Sequence, residues 1–200
     1  MIDAGLIAAV YRIPRSQAKV WATSLDEAVK FAELNTDNRI ADFLAQIGHE
    51  SGRLRYTAEI WGPTAQQVRY ERDFRYAWTG KRGTKNALAF NLGNQYLGDG
   101  SKYRGHGFIQ VTGRTNTSGC TVRLRKALGA SVPDFVAVPA RLREPYWAAI
   151  SAADFWRNRN LNAYSDSGDF AGQTRRINGG YNGIADRQAL RTQFLILMQG

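Results

Sequence analysis

The sequence predicts a mainly α-helical chain carrying a smaller inserted lobe and little β structure. Apolar residues recur at helical spacing through most segments, helix start and stop signals bracket those segments, and almost no run alternates with a period of two. Residues 60–102 differ, because Trp61-Gly62-Pro63 breaks the pattern and glycines and charges follow.

Met1 to Val10 is apolar with an acidic residue, Asp3, where a secretory leader would carry Lys or Arg, so it reads as a first helix and not as a signal peptide. Ser24-Leu25-Asp26-Glu27 has the form of a capping box and predicts a helix from there to about Leu34, with Leu25, Val29, Phe31 and Ala32 in or near its buried face. Thr36 or Asp37 caps a helix over about Arg39–Ser51, in which Ile40, Phe43, Leu44 and Ile47 form the inward stripe and Gly52 supplies the stop. Within the lobe, Thr64 to Tyr76 reads as a short polar helix, Thr79 to Asn86 as a basic loop and Leu92 to Lys102 as turns. Tyr103 to Thr112 is the one β-like run, and its glycines favour an extended segment over a central strand. Helices resume over Ser118–Leu128, Pro145–Arg157, Asp169–Ile177 and Ile184–Met198, with Pro145 in a first turn and Gly179 at a stop.

Two hundred residues, 44% of them hydrophobic, suffice for a packed core and exclude a disordered chain. Charged residues interrupt every long apolar run, so no stable membrane insertion is expected. A single cysteine, Cys120, offers no internal disulfide and fits a reducing compartment. With it, only two distant histidines are present, so neither a metal site nor a cofactor is expected. The net charge of +10 favours polyanionic partners, among them nucleic acid, anionic lipid and the anionic bacterial envelope.

Glu50 is the chief anomaly. It lies seven residues after Phe43 and therefore continues a stripe of apolar side chains. Burial and the negative end of the helix dipole both favour the protonated form, which a general acid needs. A frayed last turn with Glu50 solvated is the alternative. His49 precedes it, either as a structural side chain or as a group that orients the carboxylate or a sugar hydroxyl. Glu59 is the second carboxylate, with Glu71 and Asp73 as competing bases. An inverting glycosidase holds its two carboxyls ~6.5–9.5 Å apart to admit a water.

Tyr103-Arg104-Gly105-His106-Gly107-Phe108-Ile109-Gln110-Val111-Thr112 contributes further candidates. Gly105 and Gly107 permit close backbone approach to a ligand, and Gln110 and Thr112 share one face of an extended chain. A tight turn with an incidental polar face explains the same residues. Asn178 and Arg187 flank a glycine-rich turn before the last helix, where Asn178 can bind an N-acetyl group. Arg187 can pair with a catalytic carboxylate and keep it ionised, the opposite of the task given to Glu50. Helix capping with a surface pair at Asp186 explains the same residues.

In order along the chain, Phe43 to Gly52, Tyr103 to Arg114 and Ile177 to Gly180 with Ala185-Asp186-Arg187 resemble glycoside hydrolase family 19, the chitinase-like lysozyme fold, in its short bacteriophage endolysin form. The resemblance implies one lysozyme-like catalytic domain over residues 1–200 and inverting cleavage of β-1,4 bonds between N-acetylated amino sugars. It implies Glu50 as general acid, Glu59 as general base, and Gln110 and Thr112 at positions that bind substrate and hold the attacking water. It also implies Asn178 as a sugar-binding residue and Arg187 as an arginine associated with the catalytic carboxylates. His49, Tyr103 and Arg187 are also expected at the substrate site. His106 and Thr117 depart from the family pattern, which has Arg and an aromatic Tyr there.

Peptidoglycan glycan strands are the expected substrate, with chitin as the runner-up. A monomer without nucleic acid is expected, made in the host bacterial cytoplasm and dependent on a holin for release to the wall. A non-enzymatic nucleic-acid binder remains as the alternative that charge and interleaved aromatics allow.

Overall fold

In a computed structural model describing residues 2–199, the helices run α1 (Ala4–Tyr11), α2 (Arg15–Phe31), α3 (Asp37–Glu50), α4 (Ala65–Val68), α5 (Ala87–Leu92), α6 (Asp99–Lys102), α7 (Arg114–Leu128), α8 (Pro145–Asn158), α9 (Leu161–Ser167), α10 (Phe170–Asn178) and α11 (Ile184–Gln199). A 3-10 turn over Pro139–Arg143 precedes α8. The β structure among these residues is two isolated bridges, Ala58 with His106 and His106 with Val111. The mainly α class is thus the observed one.

Caps explain several boundaries. The Asp3 carboxylate accepts from the Gly5 and Leu6 amides at 2.7 and 3.1 Å and starts α1. Thr36 caps α3 through the Arg39 amide, and Gly179 closes α10 in the left-handed conformation at φ 80°.

Two predicted boundaries are corrected. The start at Ser24 falls inside α2, which already runs from Pro14, where the Ala18 amide reaches the Pro14 carbonyl at 3.0 Å. Amides near Ser24 are used within the helix, so no capping box forms, and Glu27 pairs with Lys30 at 2.9 Å instead. The helix predicted to reach Tyr76 stops at Val68. Buried Asn86 donates to the carbonyls of Asp73, Tyr76 and Ala77 at 2.9–3.2 Å, which holds that stretch as turns. In addition, α7 begins at Arg114, four residues before its predicted start, and α9 was not foreseen.

The core lies among α1, α2, α3, α8 and α11. Phe43 meets Trp156 edge to face at 5.3 Å, Trp21 meets Phe108 at 4.9 Å, and Tyr11 meets Phe194 at 5.3 Å. No residue between Leu54 and Phe108 joins this apolar cluster. The lobe is held by directional polar contacts: Asn94 donates to the Tyr70 carbonyl at 3.0 Å and accepts from the Arg114 amide at 2.9 Å, while the Arg114 side chain pairs with buried Asp99 at 2.6 Å.

The α3–α11 contact is polar as well as apolar. Asp42, Gln46 and Glu50 stand four apart on α3, and Arg187 and Arg191 stand four apart on α11. Arg191 meets Asp42 at 2.5 Å, whereas Arg187 meets Gln46 and Glu50, so the helices run antiparallel along a ladder of charges.

Tyr11 is fully buried, donates to the Leu44 carbonyl at 2.6 Å, and lies where a Cβ on Gly48 would sit 2.4 Å from its ring. The ring has nowhere to move. Gly48→Ala is therefore expected to cost about 1–3 kcal/mol through overpacking, read as a lower urea midpoint at an unchanged slope.

Candidate active site

Glu50 ends α3 at the rim of a cleft of about 380 Å³. Gln110 and Thr112 line it from the segment before α7, Asn116 and Arg123 from α7, Asp154 and Arg159 from the end of α8, and Asn178 from α10. Glu50 is thus neither frayed into solvent nor enclosed by apolar groups. Its side chain is 20% exposed, and Oε1 accepts from Arg187 Nη2 at 2.5 Å. The apolar stripe of α3 delivers the carboxylate to the cleft, and a cation from α11 meets it there.

Arg187 has no solvent exposure, so it holds Glu50 from beneath and cannot touch a sugar, which corrects its placement among substrate contacts. Its Nη1 donates to the buried Gln46 Oε1 at 2.6 Å and its Nε to the Asn182 carbonyl at 3.2 Å. Gln46 in turn donates to Thr174 Oγ1 at 2.9 Å and to Gln173 Oε1 at 3.3 Å, tying α10 into the same network.

His49 does not reach Glu50. Its Nδ1 lies 2.7 Å from Asp186 Oδ2, and Arg53 donates to the other Asp186 oxygen. Burial works to raise the Asp186 carboxyl, but the hydrogen bonds from His49 and Arg53 outweigh it and hold the group below the usual carboxylate range.

Glu59 follows the helix end and pairs with the segment across from it. Its amide donates to the Gly105 carbonyl at 2.8 Å, and its Oε2 accepts from the Gly105 amide at 3.1 Å. Oε1 accepts from buried Gln67 at 2.9 Å, with the Tyr70 hydroxyl at 3.5 Å. The two competing acids are engaged elsewhere. Glu71 accepts from the Gly98 and Gly100 amides at 2.5 and 2.8 Å, and the hydrogen bond from Arg75 lowers Asp73 to about 2.

Gln110 and Thr112 both line the cleft, but the chain is not extended at Gln110, whose φ is 54°. Thr112 Oγ1 donates to the Gln110 carbonyl at 2.8 Å, and Gln110 Nε2 donates to the Gly107 carbonyl at 3.0 Å. The protein's own packing already requires both glycines. A Cβ on Gly105 would sit 2.2 Å from Gln110 Oε1, and one on Gly107, at φ 77°, would sit 2.9 Å from Ser151 Oγ. Tyr103 is likewise corrected as a substrate contact. It is fully buried, and its hydroxyl donates to the Val136 carbonyl at 2.8 Å.

Thr117 is fully buried and bonds the Gly113 carbonyl, so this position presents no side chain to the cleft. His106 is buried between Lys102 and Arg143. Nε2 lies 3.0 Å from the Lys102 carbonyl, and Nδ1 accepts from Arg143 Nε at 3.0 Å, an arrangement that requires the neutral ring. The wall built by Arg123, Asp154 and Arg159 went unseen in the sequence. Asp154 could have been found as Glu50 was, since it is a carboxylate among the apolar residues Ala152, Ala153 and Trp156 of α8. Among the described residues, no group of three or more His, Cys, Asp or Glu side chains is placed to hold a metal ion.

A Haemophilus influenzae protein described as a glycosyl hydrolase family 19 domain-containing protein is 30% identical over 181 residues, covering 78% of each chain. The chain belongs to glycosyl hydrolase family 19. Among solved structures, chitinase C from Streptomyces griseus superposes with a TM-score of 0.65 at 20% identity, over 99% of this chain and 92% of that one. A bacterial family 19 chitinase does so with a TM-score of 0.65 at 18% identity, over 98% and 94%. No family profile matches the sequence. These likenesses establish the lysozyme-like helical fold, and family membership makes this glycosyl hydrolase an enzyme acting on glycans, in place of the non-catalytic binding protein that charge alone allowed.

Burial, together with the neighbouring Arg143 and Arg104, lowers His106 to about 4 from its usual 6.5. The unfolded chain takes up this proton near pH 6.5 and the folded one only near 4. Stability is therefore fully present above about pH 6.5 and falls, by up to about 3 kcal/mol, as pH drops towards 4. His106→Gln should flatten that part of the curve in urea unfolding at stepped pH.

Proposed function

We propose that this family 19 glycosidase is a peptidoglycan-degrading endolysin that cuts β-1,4 bonds between N-acetylated amino sugars with inversion. One observation carries the catalytic reading. Glu50 and Glu59 come from different stretches of chain, and Glu59 is bonded at Gly105 to the segment that lines the cleft with Glu50. Arg187 on Oε1 stabilises the carboxylate that Glu50 becomes, and leaves Oε2 as the oxygen that hands a proton to the glycosidic oxygen as the C1–O bond breaks. Glu59 takes a proton from the water that forms the new bond to C1 on the opposite face. Gln110 and Thr112 position that water or the sugar, Asn178 binds an N-acetyl group, and the partly exposed His49 contacts the bound strand. Glu71 and Asp73 are less suited as bases, because Glu71 is bonded to the Gly98 and Gly100 amides and not to the Tyr103–Thr112 segment, and Asp73 binds a proton only near pH 2.

The net charge of +10 supports the peptidoglycan assignment, since a basic monomer is concentrated on an anionic envelope. Synthesis in the host cytoplasm and release through a holin belong to the same proposal. The runner-up is a chitinase, favoured by the structural neighbours, which are chitinases. Product analysis on purified peptidoglycan against chitin oligomers separates the two, and new reducing ends from chitin alone would overturn the first.

Glu50→Gln keeps an oxygen for Arg187 and should remain folded while losing at least ~10²-fold in glycosidase rate. Glu59→Gln should fall similarly, whereas Asp73→Asn should stay within about threefold, the range left to groups outside the proton transfers. Fresh product should be the α-anomer by NMR, and a β-anomer at early times would contradict the inverting route.

A further inference from the structure

With buried Arg187 counted beneath it, the cleft sets three guanidiniums against two carboxylates. Two carboxylates line it, and each already has its cation: Glu50 is held by Arg187 and Asp154 by Arg123, the latter through contacts of 2.6–3.1 Å. One cation is left over. Arg159, just after α8, lines the same cleft, and its guanidinium makes no ion pair or hydrogen bond with any described residue, only its backbone amide bonding to the Phe155 carbonyl. Its guanidinium carbon lies 3.8 Å from the centre of the Phe155 ring, itself part of the lining.

This stack has a chemical consequence. A guanidinium laid on an aromatic face is fixed in orientation, and its in-plane N–H donors remain available for a planar, bidentate acceptor such as a carboxylate. Partial burial, with Arg176 and Arg123 nearby, disfavours its charge and lowers its pKa, so an incoming anion would relieve a repulsion already present. A neutral glycan offers nothing to balance it. A glycan strand whose sugars carry short peptides with free carboxylates does.

We propose that Arg159, stacked on Phe155, is a specificity residue that binds a carboxylate of the peptide borne by the glycan strand, so that the cleft favours peptide-bearing over bare strands. This rests on the peptidoglycan reading and names how the same cleft recognises that substrate. Anionic recognition of this kind also carries a screening signature, since a partly exposed pair weakens as salt rises.

The test is the kcat/KM of wild type, Arg159→Gln and Arg159→Lys on peptide-bearing glycan strands, on the same strands stripped of peptide by an amidase, and on chitin oligomers. Arg159→Gln should lose about tenfold or more on peptide-bearing strands, chiefly through KM, the scale of one charge-assisted hydrogen bond, and stay within about twofold on stripped strands. Arg159→Lys should recover part of the loss, and the wild-type KM on peptide-bearing strands should rise with salt more steeply than that of Arg159→Gln. Unchanged melting temperatures accompany the predicted result. Equal losses on bare and peptide-bearing strands, or no loss on either, would overturn the carboxylate role and leave the peptidoglycan reading intact. Wild type inactive on both kinds of strand yet active on chitin oligomers would overturn both.

Discussion

A guanidinium shut off from solvent must be answered by acceptors in the protein, and Arg187 is answered almost entirely by α3. Gln46 gives it a carbonyl oxygen and Glu50 a carboxylate, while Asn182 closes the third side. Removing one partner from such a group leaves an uncompensated buried charge, a loss on the order of 3–5 kcal/mol. Because Gln46 spends its amide on Thr174 and Gln173, the same arginine fixes α3, α10 and α11 together. The Glu50 carboxylate is held by the network that holds the fold. That couples the position of Glu50 to the packing of three helices and leaves it little freedom to wander.

Glu59, which is not among the residues lining the cleft, is held by other physics. Glu59 is positioned by backbone pairing with Gly105 and by Gln67, and the lobe around it contributes nothing to the apolar cluster. Asn86, Asn94 and the Asp99–Arg114 pair hold the lobe through bonds that are strong only in the right geometry. The surroundings of Glu50 therefore depend on packed helices and those of Glu59 on a polar lattice. The stretch from Tyr103 to Thr112 joins them: Phe108 is anchored in the core against Trp21, Gly105 is bonded to Glu59, and Gln110 and Thr112 face the cleft.

Much of the helical part could be read beforehand because its signals are local. The stripe of α3, the Pro that starts α8 and the glycine that stops α10 each act within a few residues. Ser24 misled for the same reason. Its sequence carries a genuine cap pattern, yet a helix already under way from Pro14 leaves no free amides for it. Tyr103 misled differently, since an aromatic beside Arg and Gly suits a sugar platform and nothing nearby in sequence reveals that Val136 takes its hydroxyl. Arg159 gave no signal at all, because its meaning depends on which anions elsewhere are already paired.

By itself the sequence determined where helices form, that Glu50 interrupts an inward-facing stripe, and which family pattern the chain follows. Those properties depend on periodicity and residue type along a continuous stretch. Tertiary structure alone decided that Arg187 serves Glu50 and His49 serves Asp186, that Glu59 and not Glu71 or Asp73 bonds to Gly105, and which charged groups are left for Arg159, whose guanidinium has no counter-ion among the described residues. Each of these is a pairing between residues tens to more than a hundred positions apart, and such pairings are set by how helices pack and which charges burial forces together.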